Sequence, residues 1–211
     1  MLFTTGCNFI CPYCHNADLA RGEYPQCIEL SQAVNFLQSR QGMLEGVTIT
    51  GGEPTLHSGI IDLCRSAKSL GYAVKLDTNG SRPEVLHDLI AENLVDYFAM
   101  DIKAPLDAYD SFSKDPHIGE KLEKSIRLIM QSPPAYEFRT TCANPFTDYA
   151  AIESIANAIK GAQCYALQTF NHRAECLDPA FSRRRDAALS ADEMGRLQAL
   201  AAPLVNRCII R

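Results

Sequence analysis

The chain has 211 residues, 21% of them charged and 46% hydrophobic, with a formal net charge of −5. That length suits a single domain, 1–211, with a substantial core, and the negative balance removes the electrostatic basis for broad nucleic-acid binding. No apolar run approaches a membrane span and no secretory signal opens the chain, so the nine cysteines are expected to be thiols of a reducing cytoplasm rather than a disulfide framework.

In chain order, a short strand is expected within Met1–Thr5, followed by the loop Gly6-Cys7-Asn8-Phe9-Ile10-Cys11-Pro12-Tyr13-Cys14-His15-Asn16. Beyond it, apolar β-branched stretches predict strands at Val47–Thr50, Ala73–Asp77, Val95–Ile102, Phe138–Thr141 and Cys164–Phe170. Helical periodicity falls between them at Ser31–Arg40, Gly59–Leu70, Pro83–Glu92, Gly119–Gln131 and Asp148–Lys160. Ser31 and Asp148 are candidate N-caps, Pro83 suits a first helical turn, and Gly71 marks a helix stop. Repeated βα units imply an α/β fold with a parallel sheet and right-handed crossovers. A closed barrel, an open partial barrel and a doubly wound sheet all satisfy this pattern.

Three cysteines spaced C-x3-C-x2-C, at Cys7, Cys11 and Cys14, form a compact set of thiolate donors with no adjacent fourth thiol. Iron–sulfur clusters are usually held by four thiolates and structural zinc by four closed ligands, so three donors leave a metal position open. A zinc knuckle that recruits His15 or Cys27 is the competing use of the same residues. At the end of Val47–Thr50 stands Gly51-Gly52-Glu53-Pro54, where glycines permit close backbone approach and a carboxylate can accept from an ammonium group. A plain strand-to-helix turn would read the same way. Ionic groups recur at the next strand ends: Asp77 with Asn79, Asp101 with Lys103, and Arg139. In parallel barrels functional groups gather at the C-terminal strand ends, although each of these charges taken singly fits a structural ion pair. The other six cysteines show no close C-x-x-C pairing, and Ser182–Asp186 reads as a solvated basic loop.

The cysteine spacing together with Gly51-Gly52-Glu53-Pro54 resembles the radical S-adenosylmethionine superfamily. Cys11–Asn16, Asp77-Thr78-Asn79-Gly80 and Met100-Asp101-Ile102-Lys103 narrow the resemblance to glycyl-radical-enzyme activases, above all those of anaerobic ribonucleoside-triphosphate reductase. The resemblance implies a partial parallel (β/α)6 barrel, with the first strand clipped because only Met1–Thr5 precedes Gly6. It implies one 4Fe–4S cluster on Cys7, Cys11 and Cys14, and S-adenosylmethionine bound by Gly51, Gly52, Glu53, Asp77, Asn79, Lys103, Arg139 and, more loosely, His172. The activity implied is reductive cleavage of S-adenosylmethionine to a 5′-deoxyadenosyl radical, which takes the α-hydrogen of a glycine in a partner enzyme. The partners implied are anaerobic ribonucleotide reductase and a low-potential electron donor such as flavodoxin or ferredoxin. Alternatives are a pyruvate formate-lyase activating enzyme and a small-molecule enzyme such as 7-carboxy-7-deazaguanine synthase.

Overall fold

The computed structural model describes residues 1–171 and 175–211. Its frame is one seven-stranded sheet whose strands lie side by side in chain order, every neighbouring pair parallel. The strands are β1 (Leu2–Thr4), β2 (Gly46–Gly51), β3 (Ala73–Thr78), β4 (Tyr97–Asp101), β5 (Ala135–Cys142), β6 (Tyr165–Thr169) and β7 (Cys208–Ile210). Helices α1 (Ala17–Arg21) and α2 (Leu30–Ser39) connect β1 to β2. Single helices fill the next four crossovers: α3 (Ile60–Ser69), α4 (Pro83–Ala91), α5 (Ile118–Gln131) and α6 (Tyr149–Ala158). The last crossover carries α7 (Pro179–Ser182) and α8 (Ala191–Ala201). This α/β order is that of an open, partial barrel.

All five expected long strands and all five expected helices form. Asp148 caps α6 by accepting the Ala151 N–H at 2.8 Å, and Gly71 follows α3 with φ +86°. Helix α2 starts one residue earlier than expected, because Glu29 rather than Ser31 stands at the cap and its N–H is taken by Gln32 at 2.9 Å. Strand β4 is shorter than the apolar run that announced it. Its approach is pinned instead by Asp96, whose carboxylate accepts both the Val74 N–H at 2.7 Å and the Lys68 ammonium at 2.6 Å. The seventh strand and α8 extend the expected six-strand plan. Strand β1 has three residues and pairs with β2 alone, in the register Leu2–Ile49, Phe3–Thr50, Thr4–Gly51.

Because side chains alternate along strands, the register divides the sheet chemically. One face carries Ile49, Leu76, Phe98, Met100, Phe138 and Leu167, all fully buried. The opposite face carries Lys75, Asp77, Tyr97, Asp101, Glu137 and Arg139, and is largely polar. Helix α5 is amphipathic in the same sense, burying Ile118, Leu122, Ile126 and Ile129 at helical spacing. Truncating Leu122 to alanine removes a fully buried side chain and is expected to cost about 2–5 kcal/mol. Chemical denaturation should show that loss, while Lys124→Ala on the exposed face of the same helix should stay within about 0.5 kcal/mol of the parent.

Candidate functional site

The site is assembled where the N-terminal loop crosses the C-terminal ends of β2, β3, β4 and β5. Residues Thr4–Gly6 run directly against Gly51 and Gly52. The Gly52 N–H donates to Thr4 O and the Glu53 N–H to Gly6 O, each at 2.9 Å. A Cβ on Gly51, where φ is +121°, would lie 2.3 Å from Thr4 O, and one on Gly52 would lie 2.1 Å from Gly6 O. These glycines are therefore required by the chain's own N-terminal segment. In the direction a side chain would take, each glycine makes room for the backbone of that segment.

Glu53 is 1% exposed and its carboxylate accepts hydrogen bonds through both oxygens. One oxygen accepts the Thr55 N–H at 3.1 Å, the Thr55 hydroxyl at 2.5 Å and the Thr78 hydroxyl at 2.8 Å. The other accepts the Asn79 N–H at 2.6 Å. Burial pushes its pKa up and the four hydrogen bonds oppose that shift. Glu53 thus holds the β2 and β3 turns together, three of its donors converging on Oε1 and one on Oε2. Asn79 is likewise buried, its amide directed at Asn8 Oδ1 (3.0 Å) and the Cys7 sulfur (3.8 Å).

The loop is seated by aromatic packing. Phe9 meets Tyr109 edge-on at 5.8 Å between centroids, and Tyr13 contacts Phe112, Phe146, Phe170 and Phe181 at 5.7–6.4 Å. The Ile10 N–H adds a main-chain bond to Phe112 O at 2.8 Å. None of the nine cysteines is in a disulfide, and the charge of Cys14 raises the thiols of both Cys7 and Cys11, with Cys7 adding to the effect on Cys11. Burial raises the Cys11 thiol to about 12, against the pull of the Lys103 ammonium. Among the described residues no three His, Cys, Asp or Glu side chains converge tightly enough to hold one metal ion. His15 is instead stacked on Phe170 at 5.2 Å, and Cys27 is exposed, so neither residue completes a ready-made single-ion zinc shell. Cys7, Cys11 and Cys14 are uncrosslinked sulfur donors on one short loop, a donor set whose chemistry fits an iron–sulfur group.

Beside the loop, the strand-end charges form one connected set. Arg139 donates to Asp101 at 2.6 Å and lies 3.4 Å from Asp77, Lys103 donates to Asp101 at 2.9 Å, and Lys75 pairs with Asp77. Lys103 stands two residues past the end of β4, where its N–H is fixed by the Tyr109 hydroxyl at 2.8 Å. Burial alone would raise the Asp101 carboxyl, yet the charges of Arg139 and Lys103 hold it well below the usual carboxylate range. Burial would lower Lys103 and Arg139, and the facing carboxylates push both upward. The structure therefore brings together Cys7, Cys11, Cys14, Asp77, Asp101, Lys103 and Arg139. Of the supporting residues to which the sequence assigned no role, Asn8 and Thr78 lie inside its motifs and Thr55 and Ser81 directly follow them. His172 lies outside the described residues.

With the geometry defined, comparison with known proteins gives the family. The model of the Radical SAM superfamily matches residues 1–132. A Methanocaldococcus jannaschii protein named "putative glycyl-radical enzyme activating enzyme" is 34% identical over 220 aligned positions, covering 100% of this chain and 88% of that protein. The chain belongs to the radical SAM superfamily. A second branch also matches: a "probable GTP 3′,8-cyclase" of Pyrococcus horikoshii is 34% identical over 89 residues, 42% of this chain and 28% of that protein. In fold, Streptococcus suis SuiB, crystallised with S-adenosylmethionine, superposes with a TM-score of 0.75 at 13% identity, over all of this chain and 49% of SuiB. Among the described residues no helix is long and apolar enough to cross a membrane.

Two outcomes are expected from the electrostatics. Glu53→Gln puts an amide donor among groups that already donate, and should cost about 1–3 kcal/mol, read as a lowered denaturation midpoint. Asp101 has a depressed pKa in the folded chain, so its stabilisation is complete above the unfolded carboxyl value of about 3.9 and is lost as pH falls below it. Asp101→Asn should therefore flatten the acid limb of a stability-versus-pH curve; an unchanged limb would remove Asp101 from that account.

Proposed function

We propose that this chain is a glycyl-radical-enzyme activase, with Cys7, Cys11 and Cys14 holding a 4Fe–4S cluster beside a strand-end site for S-adenosylmethionine. The observation that carries the reading is the adjacency of the two halves: Asn79, at the end of β3 and two residues from Asp77, reaches Asn8 at 3.0 Å and the Cys7 sulfur at 3.8 Å. A zwitterionic, sugar-bearing molecule bound at the strand ends would thus lie against the cysteine loop. When bound, the cluster and S-adenosylmethionine supply one-electron reductive cleavage to a 5′-deoxyadenosyl radical able to take hydrogen from a glycine α-carbon.

The chain's own residues bind, orient and exclude water. Lys103 and Arg139 offer cations for a carboxylate, and Asp77 and Asp101 offer acceptors for an ammonium group or hydroxyls. The acceptor role expected of the Glu53 side chain passes to Asp77 and to backbone carbonyls of Gly51–Gly52, with Glu53 holding the turn that presents them. The aromatic bed under Phe9 and Tyr13 fixes the loop and keeps solvent from its inner side. The full-length similarity to the Methanocaldococcus jannaschii relative favours a protein substrate over a small molecule. The motif wording favours anaerobic ribonucleoside-triphosphate reductase in a cytoplasm that supplies a flavodoxin or ferredoxin.

The test is anaerobic electron paramagnetic resonance on the reconstituted, reduced chain mixed with S-adenosylmethionine and an anaerobic ribonucleotide reductase. A glycine-centred doublet is expected, and it should vanish when the reductase glycine is replaced by alanine. A cluster signal that shifts with S-adenosylmethionine without any doublet would exclude that reductase as the substrate. Replacing Cys7, Cys11 or Cys14 by alanine should abolish both signals while leaving the far-ultraviolet circular dichroism of the fold intact.

A further inference from the structure

We propose that Asn79 is a positioning residue whose side-chain amide donates an N–H···S hydrogen bond to Cys7, raising the electron affinity of the iron–sulfur group at that corner of the loop. The inference rests on the reading of Cys7, Cys11 and Cys14 as cluster ligands and adds to it a role distinct from cofactor binding.

The amide orientation follows from its partners. The Ser81 main-chain N–H, which can only donate, points at Asn79 Oδ1 at 2.9 Å. The NH2 group must therefore face the other way, toward Asn8 Oδ1 at 3.0 Å and Cys7 Sγ at 3.8 Å. Both side-chain donors are committed, and the main-chain N–H is taken by Glu53 at 2.6 Å. The residue is 6% exposed, so the amide is held from three sides. Asn8 completes the brace by donating to the Ser81 hydroxyl at 2.9 Å.

This gives Cys7 a chemical environment unlike that of its neighbours. Its sulfur receives the Phe9 N–H at 3.4 Å as well as the Asn79 amide. Among the described residues no hydrogen-bond donor reaches the sulfur of Cys11 or Cys14. Hydrogen bonds to ligating sulfur withdraw electron density and favour the reduced cluster. Asn79 thus links the buried Glu53 hub to one thiolate, and transmits the position of the β2 and β3 turns to the metal corner.

The experiment is a redox titration of the reconstituted full-length chain without S-adenosylmethionine, followed by electron paramagnetic resonance, together with iron and sulfide analysis. Asn79→Ala should load iron and shift the midpoint to lower potential. The isosteric Asn79→Asp keeps the acceptor for Ser81 and replaces the donor by a negative charge, so it should shift the midpoint further in the same direction. Asn8→Ala loosens the brace but keeps the donor, and should leave the midpoint at the wild-type value. An unchanged midpoint in both Asn79 variants at normal iron content, or an equal shift in Asn8→Ala, overturns the proposal. Failure of the wild-type chain to take up a cluster overturns the underlying reading of the loop, and the inference with it.

Discussion

A buried carboxylate organises this structure. Glu53 gathers four hydrogen bonds from the turns after β2 and β3, and its own main-chain N–H holds Gly6 at the mouth of the cysteine loop. A carboxylate in an apolar interior is costly unless its lone pairs are met, so each donor removed leaves part of that cost unmet. That dependence makes the hub rigid. The segment carrying Cys7 inherits its position from it, through Gly6 on one side and Asn79 on the other.

The aromatic bed performs the complementary task. Tyr13, Phe112, Phe146, Phe170 and Phe181 are drawn from widely separated parts of the chain, and they meet only because the parallel crossovers return each strand end to the same side. The Tyr13 hydroxyl is the one buried side-chain polar atom without a hydrogen-bond partner among the described residues, and burial pushes its pKa well up. The ring is thus held by packing alone. Loop position is set by shape on its inner side and by directed hydrogen bonds on its outer side, which separates how the loop is anchored from how it is aimed.

Much of this was legible in the amino-acid pattern. Strand and helix periods announced β2 to β6 and α2 to α6, and the cysteine spacing together with the strand-end charges marked one end of the sheet. What escaped did so for physical reasons. Strand β7 has three residues, too few to display an alternation, and α7 has only four. Helix α8 carried a usable signal, the Ser190–Glu193 capping box, whose bonds form at 2.7 and 3.3 Å. The side-chain roles at Gly51–Glu53 and Asn79 could not be read, because composition cannot tell whether a buried polar group is spent on the chain or left for a guest. That distinction lives in which donors surround it.

The ionic set at the strand ends has an imbalance with its own consequence. Lys75, Lys103 and Arg139 face Asp77 and Asp101, three cations against two carboxylates. With the cysteines protonated this surplus has no counter-charge in the loop; with negative charge on the sulfurs it does. The two halves of the site are therefore thermodynamically reciprocal: whatever loads the loop changes the hold of the strand ends on a charged guest, and the guest changes the hold of the loop by the same factor. Order of assembly then leaves the final state untouched and alters only the path to it.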